Sequence, residues 1–123
     1  MLIKTAKDLN AYKAAYALSM EIFRVSKTWP LEERYSLTDQ IRRSSRSVCA
    51  NLREAWAKRR YDAHFISKLS DCDGECSETD TWLDYACDCG YISVEKHAEL
   101  AAECASVGAM LGLMIRNPTP FLK

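Results

Sequence analysis

Residues 30–60, PLEERYSLTDQIRRSSRSVCANLREAWAKRR, decide the fold. A proline and two acids open a short connection, and from Ser36 onward apolar residues recur every three or four positions. At about 100° per residue, Leu37, Ile41, Val48, Leu52 and Ala55 share one face, with Trp56 at its edge. Arg42, Arg46, Arg53 and Arg60 fall within about 40° of one another, on a stripe roughly 115° from that face. The pattern predicts one long amphipathic helix over about 36–60, N-capped by Ser36. A basic row, which Arg43 widens, runs beside its apolar seam.

The rest of the chain repeats the helical period. An N-terminal segment over about 8–27 carries Leu9, Tyr12, Tyr16, Met20 and Phe23 at helical spacing, with Asp8 at its start. Thr28-Trp29-Pro30 ends it, because the residue before a proline is pushed out of the helical region. A third segment, about 62–89, opens at Asp62 and closes at Gly90. Its seam is Phe65, Leu69, Cys72, Cys76, Thr79, Leu83 and Ala86, in alternating steps of four and three. A fourth, about 94–116, follows the N-cap Ser93 and carries His97, Leu100, Cys104, Val107, Leu111 and Met114. It has a second stripe of small residues, Ala101, Ala105, Gly108 and Gly112, suited to close packing inside the bundle or between subunits. Period-two alternation, the mark of strands, is lacking. Four such helices on short connections predict an all-α, antiparallel up-down-up-down four-helix bundle, one domain over 1–123.

Composition agrees with a folded, mostly helical domain: 48% apolar and 28% charged, with 4 Gly and 3 Pro in 123 residues. Net charge is zero, but the charges are segregated. Residues 42–60 hold seven bases and one acid, whereas 71–88 hold seven acids and no base. A partner responds to that polarity and not to the average. The first ten residues include Lys4, Lys7 and Asp8 and lack a signal peptide's apolar run. The longest uncharged stretch, Cys104 to Ile115, is 12 residues, short of a membrane span. The expectation is therefore a cytosolic protein with no membrane partner, its six cysteines reduced.

The arginine row suits phosphate, since guanidinium groups bind it bidentately. It suits equally an acidic protein surface, and the third segment supplies one in Asp73, Asp80 and Asp84, with Glu75 and Glu78 further round. A head-to-tail ring would lay one subunit's basic stripe on its neighbour's acidic one; simple solvation is the third reading. Lys58-Arg59-Arg60 is explained by the negative end of a helix dipole. Asn51 lies at the edge of the apolar face, where an amide needs a partner, and Glu54 is placed to share a polar network with it. The cysteines fall on seam positions and read as small apolar groups. Their spacing matches no zinc motif, so neither metal nor cofactor is expected. The recognised catalytic motifs are lacking as well, and with them any expectation of enzyme activity or catalytic residues.

One run carries more than periodicity. Pro30, Glu33, Tyr35, Leu37, Gln40, Ile41, Arg42, Arg43, Ser47, Asn51 and Glu54 together resemble the signature of the four-helix-bundle proteins encoded in intervening sequences of bacterial 23S rRNA genes. The resemblance continues through Phe65, Leu69, Glu78 and Gly90-Tyr91-Ile92. It implies a fold shared with the accessory proteins of diversity-generating retroelements, which partner a reverse transcriptase and bind nucleic acid. It also implies a ring-like homopentamer. Two family glycines are replaced, by Ser36 and by Ala55; the second predicts a helix that runs on to Arg60 instead of breaking after Glu54. Two functions therefore stand open. One is nucleic-acid (RNA or DNA) association through Arg42, Arg43, Arg46, Arg53 and Arg60. The other is a self-assembling or protein-docking scaffold using Asn51, Glu54, Asp73, Asp80 and Asp84.

Overall fold

Four helices build the protein in a computed structural model that describes residues 2–122. They are α1 (Asn10–Ser26), α2 (Leu37–Ala57), α3 (Asp62–Asp88) and α4 (Val94–Arg116). Short 3-10 turns occupy Ala6–Asp8, Leu31–Glu33 and Thr119–Phe121, and there is no strand among the described residues. Each helix packs on its chain neighbours, and α4 closes on α1. Side-chain pairs run in opposite senses along adjacent helices. Ser44 meets Thr79 while Glu54 meets Lys68; Cys76 meets Cys104 while Asp84 meets His97.

The seams of α2, α3 and α4 form the core. Ile41, Leu52, Phe65, Leu69, Leu83, Leu100 and Leu111 are fully buried, each contributing about 1.5–3 kcal/mol by leaving water. The α2–α3 contact also encloses a hydroxyl pair, Ser44 and Thr79, 2.8 Å apart. Thr79 spends its proton on the Glu75 carbonyl, at 2.9 Å. Ser44 therefore donates to Thr79, and both groups are satisfied without water.

Helix α1 departs from the expected face. Its buried residues are Ala11, Ala15, Leu18, Ser19, Ile22 and Ser26, not the Tyr12–Tyr16–Met20–Phe23 line. Both lines are helical in period. The structure chooses the smaller one because α2 and α4 bring large side chains to the shared core, and alanines let α1 approach them. Of the bulky line, Tyr12 is half-buried against the core's margin, whereas Tyr16 is 54% exposed at the outer edge.

Several ends also differ from expectation. Asp8 caps the short turn before α1: its carboxylate accepts the Lys4 and Thr5 amides while Thr5 accepts the Lys7 amide. The helix proper starts at Asn10, after an extended Leu9. Ser36 stands at the N-cap of α2 but makes no cap bond; Glu33 Oε1 accepts the Leu37 amide instead, at 3.4 Å. Tyr61 occupies the N-cap of α3, with Asp62 in its first turn. Helix α2 stops at Ala57 and does not reach Arg60, although Lys and Arg are good helix formers. Lys58 folds tightly back on Glu54 and Ala55, and Tyr61 turns back on Lys58, so that α3 can pack against α2. Tertiary packing overrides propensity there.

At the other end of α3, Gly90 takes φ +78°. This left-handed conformation lets the Gly90 and Tyr91 amides reach the Cys87 and Ala86 carbonyls at 2.9 and 2.8 Å. The small-residue stripe of α4 is not a tight crossing within the chain. Ala105 is exposed, Gly108 only grazes Asp73, and Arg116 of the same helix folds over Gly112. By length and composition α4 meets the requirement for a membrane span, which its 12-residue uncharged run had argued against. The buried seam Leu100, Cys104, Val107, Leu111 and Met114 accounts for part of that apolar content, while Val94 and Leu113 stay exposed.

Candidate nucleic-acid interface

The basic row resolves into an open groove of about 600 Å³ that runs from Arg34 and Tyr35, just before α2, along that helix as far as Ala50. Arg34, Arg42, Arg43 and Arg46 line it with Tyr35; Asp39 is the one acid in its wall. Arg53 lies two helical turns beyond Arg46, and Arg60, past the end of α2, lines a separate hollow with Trp56 and Arg59. The arginine stripe is thus a cluster with two outliers, because the helix ends before Arg60.

The arginines differ in what they already hold. Arg43 is committed: Nη2 lies 2.6 Å from Glu78 and Nη1 3.6 Å from Glu75. These are the acids further round α3, not Asp73, Asp80 or Asp84. Arg42 donates from Nε to Ser26 Oγ at 2.9 Å and lies 4.8 Å over the Phe23 ring. Arg46 lies 5.7 Å over the same ring, and Lys27 flanks it at 4.8 Å. Phe23, expected in the core, serves instead as a brace for cations, whose charge its π face stabilises. Arg34, Arg42 and Arg46 form no ion pair among the described residues.

Glu33 positions the groove's other wall. Ser36 Oγ donates to it at 2.6 Å and Tyr91 OH at 2.8 Å, so one carboxylate ties the α1–α2 connection to the α3–α4 connection. Those bonds, with Ser36's the largest influence, hold Glu33 below the usual carboxylate range. The same bond and burial push Tyr91 up to about 12. Trp29 packs on Tyr91, with ring centroids 5.9 Å apart. Glu33 thereby anchors the connection that carries Arg34 and Tyr35, whose own side chains stay exposed. The helical pattern could not single out Arg34, because it sits in a connection where periodicity says nothing.

The polar network drawn through Asn51 and Glu54 takes a different form. Glu54 pairs with Lys68 at 2.6 Å, and Lys68 also reaches Asp71 at 3.3 Å. Asn51 is half-buried and makes no side-chain hydrogen bond among the described residues. The two residues therefore do not share partners. Asp73 and Asp80 are exposed, and the Asp84 carboxylate accepts a hydrogen bond from His97 Nε2 at 2.8 Å. The acidic line of α3 thus lies toward α4, away from the arginine groove, and meets no arginine among the described residues. Cys72, Cys76 and Cys104 pack in the core, with the Cys76 and Cys104 sulfurs 3.5 Å apart. Among the described residues, no group of three or more His, Cys, Asp or Glu converges as metal ligands.

Comparison with known proteins agrees with this architecture. The sequence profile described as 23S rRNA-intervening sequence protein matches residues 7–112. The crystal structure of a protein of unknown function from the S23 ribosomal protein family, from Bacteroides thetaiotaomicron, superposes with a TM-score of 0.79. It is 26% identical in sequence, and the match covers 87% of this chain and 96% of that one. No curated protein matches.

Proposed function

This chain belongs to the 23S rRNA-intervening sequence protein family, and on that premise we propose that it is a non-catalytic bundle protein that associates with nucleic acid. The observation that carries the reading is the groove, where Arg34, Arg42 and Arg46 present guanidinium groups that no carboxylate of the described residues holds. Two of the three are held against Phe23, so less freedom is lost when they meet a phosphate. Electrophoretic shifts with structured RNA and with duplex DNA at low salt test it. Binding is expected, weakened by Arg42→Ala plus Arg46→Ala; no shift, or a shift that this pair leaves unchanged, refutes the reading.

A second reading, self-assembly, is favoured by a different observation. Tyr12 and Tyr16 stack with ring centroids 6.2 Å apart on the outer edge of α1, in line with Met20 and Phe23, and no helix of the same chain covers Tyr16. A homopentamer, as the family resemblance implies, would bury that edge, and the acidic line of α3 would be free to meet a neighbour. Light scattering tests it: Tyr16→Glu lowers the assembled mass, and an unchanged mass counts against an interface on α1.

A further inference from the structure

Tyr35 borders two depressions at once. On one side is the arginine groove; on the other is a cleft of about 400 Å³ lined by Trp82, Tyr85, Leu37 and Gln40. Tyr35 is 84% exposed and Tyr85 56% exposed, and Trp82 is half-buried beside them. Large aromatic rings left open side by side at one end of the bundle form a patch that an occupant would cover.

The chemistry of the two depressions narrows that occupant. Trp82 and Tyr85 lie 5.8 Å apart at 47°. Trp82 Nε1 donates to Glu78 Oε1 at 3.3 Å, the same oxygen that holds Arg43, so the indole is fixed relative to the basic wall. Arg34 lies 5.9 Å from the Tyr35 ring centroid. The acid bordering the cleft, Glu33, has both oxygens engaged by Ser36, Leu37 and Tyr91. Asp39 opposes an anion in the groove but is outnumbered by Arg34, Arg42 and Arg46. A chain with regular negative charge and flat apolar faces satisfies both sides of Tyr35. Duplexes offer the charge but keep their base faces stacked inside.

We propose that the groove and cleft on either side of Tyr35 form one continuous site for single-stranded nucleic acid. Phosphates meet Arg34, Arg42 and Arg46, and unpaired bases stack on Tyr35, Trp82 and Tyr85. This rests on the nucleic-acid reading above and adds to it the strand state of the ligand. Each base stacked on an aromatic ring strengthens binding roughly 5- to 150-fold, largely independent of sequence.

The test is fluorescence anisotropy at low salt with labelled oligouridylate of about 12 nucleotides, alone and as its duplex with oligoadenylate. The proteins are the wild type, Tyr35→Ala plus Tyr85→Ala, Tyr35→Phe, and Arg42→Ala plus Arg46→Ala. Circular dichroism and light scattering accompany each. The single strand is expected to bind at least tenfold more tightly than the duplex. The double tyrosine variant loses that preference while keeping its helicity and mass, and Tyr35→Phe retains it. Equal binding of strand and duplex, with the tyrosine variant unchanged and the arginine variant impaired, overturns this inference and leaves the nucleic-acid reading standing. If neither probe binds, the reading itself fails and this inference falls with it. A drop in mass for the tyrosine variant assigns the aromatic cleft to a second copy of the chain and overturns the proposal.

Discussion

Arg43 and Arg46 are both solvent-facing arginines on α2, three residues apart, yet the structure gives them opposite roles. Arg43 is held by Glu75 and Glu78; Arg46 rests on Phe23 with no carboxylate. Salt dependence separates the two, because it counts phosphates neutralised by arginines free to reach them. With Arg34, Arg42 and Arg46 each meeting one phosphate, the slope of log affinity against log salt is about −2 per engaged subunit for a single strand. Raising salt from about 50 to 200 mM then weakens binding roughly 20-fold. Arg46→Ala reduces the slope to about −1.4 and the loss to roughly sevenfold. The pair Arg42→Ala plus Arg46→Ala reduces them to about −0.7 and threefold. Arg43→Ala leaves the slope where it was, since no phosphate contact is lost, and changes stability by only about 0–1 kcal/mol as an exposed ion pair. Anisotropy titrations at four or more salt concentrations measure all of this. A slope that falls as much for Arg43→Ala as for Arg46→Ala would refute the division of the groove into free and committed arginines.

The other predictions concern the frame around that groove. Glu33's folded value lies below its ordinary 4.5, so its contribution to stability is present above about pH 4.5 and fades as pH falls through the folded value. Tyr91, pushed up to about 12, contributes below about pH 10 and loses that as pH rises toward 12. Urea midpoints across pH should show the acid-side fall in wild type and a shallower one in Glu33→Gln; identical profiles would remove Glu33 from the account. Thr79→Val should lower stability by about 1–2 kcal/mol, because Ser44 is left with only the Ile41 carbonyl at 3.4 Å; an undiminished thermal midpoint would contradict the buried hydroxyl pair. Iodoacetamide followed by mass spectrometry should label Cys89 in the native protein, and Cys49 and Cys72 only in denaturant. Burial pushes the latter two thiols up to about 11 and about 12. Native labelling of Cys72 would mean that the α2–α3 seam opens.

Where one apolar line dominated a helix, periodicity located the core directly. The α3 seam from Phe65 to Ala86 is buried residue for residue, and Leu37, Ile41, Val48, Leu52 and Ala55 of α2 likewise face inward. Periodicity misled in α1, where two apolar lines compete and the bulkier one lost. Local spacing carries no information about how much room the facing helices leave. The site was legible to a similar degree. Charge segregation and the arginine spacing marked α2 as the helix that carries the basic groove. Which arginines are free was not legible, since Glu75 and Glu78 come from 35 residues away and the groove's far wall from a connection with no period.

By itself, then, the sequence determined four helices, the α2, α3 and α4 seams, the family, and a basic segment opposed by an acidic one. All of these depend on residue type at fixed local spacing. Tertiary structure decided the outward turn of Tyr16 and Phe23, the end of α2 at Ala57, the pairing of Arg43, and the meeting of Arg34, Arg42 and Arg46 beside Tyr35. Each of those depends on the volume and charge of residues distant in the chain, which side chains acquire as neighbours only when the helices pack.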